Sequence, residues 1–149
     1  MSVSDSINRM SALILAKFPG AGIHRYQEPA AASPGDFTVL FKQETRKAVN
    51  RDHTLVDREY VIQGFGRDAE QAVQAMEALS KFLMNEYPAA PPEAGPSQFR
   101  IDTMTLTAPE KLDNGVFRCP GTIQIQSRET VSGPMFEKVR RVEVRTNNL

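Results

Sequence analysis

The chain of 149 residues has one cysteine, Cys119, no tryptophan, and two histidines, His24 and His53. A single cysteine cannot form an internal disulfide, and no CxxC pair or Cys/His cluster is spaced for zinc, so a reducing compartment is expected. Two histidines leave few candidates for acid–base work near neutral pH. Net charge is also lacking: eighteen basic and eighteen acidic side chains cancel. No global field therefore draws the chain to nucleic acid or an anionic membrane, and self-association meets no large repulsion. Long apolar runs are missing too. Near the start, Leu13-Ile14-Leu15-Ala16 follows an early Asp5 and is too short for a signal region or a membrane span. The expectation is a chain made and assembled in the cytoplasm.

What is present suits one globular core. Apolar residues make up 40% and charged residues 24%, close to globular averages, and a chain of this size buries roughly 68–70% of its unfolded surface. Ile7, Met10, Ala12, Leu13 and Ile14 share a helical face within Ser4–Lys17, with Ser4 or Asp5 as cap. Ile23–Glu28 reads as a short strand and Pro29–Asp36 as a loop. Phe37–Gln43 and Leu55–Phe65 alternate as strands, joined by a charged connection, Glu44–Thr54. From Asp68 to about Glu86, Ala72, Val73, Met76, Leu79 and Leu83 recur at helical spacing, with Asp68 and Gln71 placed as a capping box. Pro88–Pro96 is an extended connection. Phe99–Thr107 and Gly115–Arg128 flank the turn Asp113-Asn114-Gly115, and Pro120-Gly121 should bend or bulge the second strand. The order predicts an α+β fold: an antiparallel or mixed sheet of about four to six strands, with an N-terminal helix and one long central helix on one face. Residues 1–133 form the expected single domain, and 134–149 a C-terminal arm or extra strand.

Searched for chemistry, the sequence offers little. His24 and His53 read as surface or turn residues, and Cys119, with no helix N-terminus or base beside it, as core packing. Gly64-Phe65-Gly66 lacks the third glycine of a dinucleotide fingerprint and the Gly-Lys-Ser/Thr of a P-loop, so it reads as a strand exit. The acidic residues are scattered among bases, and no HExxH, GxSxG or kinase set occurs. The expectation is no enzyme, no cofactor and no metal. The connection from Lys42 to Arg58 carries Lys42, Arg46, Lys47, Arg51 and Arg58 with Glu44, Asp52 and Asp57 mixed in, a weak patch in one subunit. Repeated around a ring, it would line an opening, with Arg46, Lys47 and Arg51 facing the duplex, and screen phosphates without reading bases.

One stretch resembles a known family. The strand FTVLFKQ, a charged connection, REYVIQGFG, the helix DAEQAVQAMEALSKFL and then FRIDTMTLTAPEKLDNGVF and TIQIQSRE follow a short N-terminal helix. This succession, from about Asp5 to Glu129, resembles tail terminator and minor capsid proteins of long-tailed bacteriophages. The resemblance implies a non-catalytic virion subunit that forms a ring, usually of six, at the head-proximal end of the tail tube. Such a ring stops tube growth, meets the tail tube protein and the head-completion or connector protein, and lets genome DNA pass. In the tail beyond Gly133, Val139, Val142 and Val144 alternate with charges and are the expected inter-subunit residues. A connector, a tail-completion protein or a tube subunit would share this composition. From other classes, a small ligand-binding or enzymatic α+β domain and a monomeric adaptor binding by strand addition stay open.

Overall fold

The computed structural model describes residues 1–86 and 99–131. The expected arm, with Val139, Val142 and Val144, and the Pro88–Pro96 connection lie outside the described residues. The chain runs α1 (Val3–Lys17), β1 (Ile23–Arg25), β2 (Phe37–Ala48), β3 (His53–Gly66), α2 (Ala69–Lys81), a wider π-helical turn (Phe82–Glu86), β4 (Thr103–Leu106), β5 (Glu110–Lys111) and β6 (Phe117–Thr130). The fold is α+β. The six strands of the described residues form one mixed sheet in the order β1-β2-β3-β6-β4, with β5 also on β6. Among these pairings only β1 against β2 is parallel.

Local signals explain the helix starts. Ser2, two residues before the earlier of the two expected caps, caps α1: its hydroxyl accepts from the Asp5 amide while the Asp5 carboxylate accepts from the Ser2 amide. The reciprocal pair satisfies two amides that the first turn leaves open, and it holds Asp5 below the usual carboxylate range. Asp68 caps α2 by accepting from the Gln71 amide at 2.7 Å. Gln71 Oε1 accepts instead from the Arg67 amide at 2.6 Å, one residue before the cap, so the capping box is a near miss.

The charged connection expected at Glu44–Thr54 is not a loop. β2 continues to Ala48, β3 begins at His53, and only four residues turn between them. Their ladder stays in register from Gln43↔Glu59 to Ala48↔Thr54, after a single bulge between Phe41 and Gln43. β6 then pairs with the whole of β3, from Gly66↔Phe117 to His53↔Thr130. Pro120-Gly121 causes no shift in that register. The Pro120 carbonyl accepts from the Thr107 amide, so its missing donor faces the outer side, in the gap between the β5 and β4 ladders.

The register places Val39, Tyr60, Ile62, Cys119, Ile123 and Ile125 on one sheet face, where they pack with Ile7, Met10 and Ile14 of α1 and Met76 and Leu79 of α2. Two glycines let α2 approach. A Cβ on Gly64 would stand 2.9 Å from Met76 Cγ and Sδ, and one on Gly121 would stand 2.9 Å from Met76 Cε. The thioether is thus wedged where two strands lack side chains. On the opposite face, Ala32, Phe65 and Val116 form a second, small cluster with Leu112. It sits under the loop before β2, where the Asn114 amide donates to the Ala32 carbonyl at 3.2 Å.

Candidate functional site

Past the bulge, β2 leaves the layered core. Its side chains from Phe41 to Ala48 are exposed, while Val56 and Arg58 opposite them stay buried. With the first half of β3 and the second half of β6, this stretch makes a three-stranded ribbon. Among the described residues, both of its sides carry free backbone. β1 pairs only with Phe37–Val39, and the last bond runs from the Tyr26 amide to the Val39 carbonyl at 2.8 Å. Tyr26 then turns the chain away with φ of 71°, a left-handed conformation that non-glycine residues rarely adopt. Among the described residues no strand covers the outer side of Leu40–Ala48. On the other side, β4 reaches only Gln124. Asp102 extends the cover by donating its amide to the Gln124 carbonyl and accepting from the Gln126 amide at 2.7 Å. Beyond Gln126, β6 too has no outer strand among the described residues.

Four charges cross the ribbon on its helix-bearing face. Arg58 Nε donates to Glu44 at 2.7 Å, Arg46 Nε donates to Glu44 at 2.8 Å, and Arg46 donates a second nitrogen to Glu129 at 2.8 Å. Arg58 also approaches Glu129 at 3.8 Å and donates to the Met1 carbonyl. Its side chain is 8% exposed, and the two acids balance the charge so placed. The Arg58 and Arg46 guanidiniums hold Glu44 below the usual carboxylate range, and Arg46 does the same for Glu129. The Arg46 guanidinium is held more firmly charged by Glu129 and Glu44.

The three basic residues singled out in the sequence do not converge. Arg46 joins this quartet, Lys47 points to the opposite face, and Arg51 sits in the turn, where Asn50 Oδ1 accepts from the Asp52 and His53 amides. Among the described residues neither Lys47 nor Arg51 has an ion pair. The pairing of Glu44, Arg46 and Arg58, and the part of Glu129 in it, were missed because the links are cross-strand. The available signal was Glu44 and Arg46 at strand spacing with opposite sign.

Elsewhere, His24 Nε2 lies 3.1 Å from Asp36 Oδ2, which also accepts from the Ser33 amide and pins the loop before β2. Cys119 is buried, its thiol donates to the Thr107 carbonyl, and burial pushes that thiol up. A cavity of about 280 Å³ between Glu28–Ala32 and Leu112–Arg118 has its guanidinium, that of Arg118, occupied by Glu28 at 2.6 Å and Glu110 at 2.7 Å. Among the described residues no three His, Cys, Asp or Glu side chains gather as a metal site, and no helix is long and apolar enough to cross a membrane.

No protein-family profile and no curated protein matches the chain. Among solved structures, its fold is similar to a chain from the virion of a native gene transfer agent particle, with 15% identity and a TM-score of 0.47, over 89% of this chain and 96% of that one.

Proposed function

We infer that the protein is a non-catalytic virion subunit of a long-tailed, phage-like particle, a tail terminator that closes into a ring at the head-proximal end of the tail tube. The observation that carries the reading is the ribbon that, among the described residues, has open backbone on both sides. A subunit whose β2 edge meets the β6 edge of the next copy makes a head-to-tail contact, and such a contact closes into a ring when its rotation allows. The described helices sit on one ribbon face, so closure with them outside turns the face of Lys47 and Arg128 inward. Lys47 is then the best placed of the three basic residues for a passing duplex, with Arg51 at the rim and Arg46 held outside. The element order supports the terminator role over a generic assembly domain, and a ring of six is the expected number. The neighbours are the tail tube protein on one side and the head-completion or connector protein on the other. In this reading Val139, Val142 and Val144, which lie outside the described residues, contribute to the contact with a neighbouring subunit.

Immunogold labelling of particles from the source lysate tests this. Label at the head–tail junction is the expected result. Label along the whole tube makes the chain a tube subunit, and no label on any particle overturns the virion reading.

A further inference from the structure

The edge of β2 that is open among the described residues fits a second copy of itself. In an antiparallel ladder, alternate residues turn both backbone groups to one side. The Val49 amide donates inward, to the His53 carbonyl. Counting back by twos, Lys47, Thr45 and Gln43 face β3, while Ala48, Arg46 and Glu44 present amide and carbonyl to the open side. Two copies meeting there about a two-fold axis have few registers in which outward residues oppose outward residues. One puts Glu44 against Glu44 and another puts Arg46 against Arg46; both place like charges directly across the interface. The register between them sets Glu44 of each copy against Arg46 of the other, Thr45 against Thr45 on the axis, and Lys47 against Gln43. It forms four backbone hydrogen bonds around the axis and two opposite-charge pairs.

We propose that the free subunit covers its β2 edge by pairing antiparallel with β2 of a second copy, in the register centred on Thr45. The contact goes beyond the ring reading, because it uses the same edge and must open before that edge serves a head-to-tail neighbour. The dimer is the resting form of the unassembled chain. Lys42 at the bulge and Lys47 on the strand discourage unrelated strands, while self-pairing sets Lys47 against an uncharged glutamine.

Thr45 on the axis is a position whose two copies stand about 4.5 Å apart at Cα, within the range that a disulfide spans. Thr45→Cys is therefore expected to give a covalent dimer under mild oxidation, whereas Gln43→Cys, offset from its own copy, forms no cross-link. Charge reversal supplies the second measurement. Glu44→Arg alone and Arg46→Glu alone each turn both pairs repulsive, and each is expected to weaken dimerisation by about tenfold or more in native mass spectrometry. Mixing the two variants restores both pairs, so a heterodimer forms. Absence of a cross-link in the Thr45→Cys variant, or single reversals that dimerise like the parent chain, overturns the proposal. Those outcomes leave the ring reading intact, and failure of the junction label leaves this dimer intact.

Discussion

Met76 and the two glycines beneath it allow a test in which two harmful substitutions correct each other. Gly64→Ala places a Cβ 2.9 Å from Met76 Cγ and Sδ and 3.3 Å from Phe37 Cε2. Overpacking of this kind costs about 1–3 kcal/mol, offset by about 0.4–1 kcal/mol from the stiffer unfolded chain. Met76→Ala removes the thioether from a fully buried site, and large-to-small changes there cost about 2–5 kcal/mol. Combined, the new Cβ meets neither Cγ nor Sδ, since alanine has neither, and it occupies part of the space they left. The double variant is expected to be more stable than the sum of the singles by about 0.5–3 kcal/mol, the range seen for side chains sharing one cavity. Urea unfolding with linear extrapolation measures all four corners, and a domain with about 5–15 kcal/mol of stability has room for them. If the singles add within about 0.5 kcal/mol, the wedge is not what positions α2.

Two further outcomes follow from single groups. Glu44 and Glu129 titrate below the usual range in the folded chain, so the unfolded chain binds more protons as pH falls through that interval. Their stabilisation is complete above the ordinary glutamate pKa and drains below about pH 4. An acid-unfolding curve for Glu44→Gln should be shallower than that of the parent chain, and superimposable curves would show the quartet to be energetically silent. Tyr26 is 53% exposed and left-handed. Relieving about 1–2 kcal/mol of backbone strain outweighs the added freedom of glycine, about 0.5–1 kcal/mol. Tyr26→Gly should therefore leave the melting temperature unchanged or raised; a clear drop would mean that the ring is holding the turn.

The helices were legible because their signals are local. The three- and four-residue spacing from Ala72 to Leu83 and the Asp68 cap lie within one segment. So were the strand exit at Gly66 and the turn at Gly115, whose φ of 86° suits glycine. The ribbon was not legible, and the reason is physical. From Gln43 to Ala48 both faces are polar, so no apolar alternation marks a strand. What fixes the strand there is pairing with β3 and a charge partner, Glu129, that a linear reading cannot bring near Arg46. Patterning likewise placed a strand from Phe99, where the chain buries Phe99 and Ile101 but bonds to β6 only from Asp102 and becomes a strand at Thr103. Apolar residues predicted the burial and left the hydrogen bonding open.

The central position of β3 sets an order of events during synthesis. Its partner on one side, β2, precedes it directly, so that hairpin closes early and locally. Its partner on the other side, β6, emerges only after α2, β4 and β5 have been made. Until then β3 keeps one flank open along fourteen residues, and α2 lacks the Gly121 surface on which Met76 rests. Closing that flank is a long-range step, which is slow and leaves a nascent chain open to wrong partners. The late arrival of β6 therefore makes the last third of the described chain the gatekeeper of soluble yield.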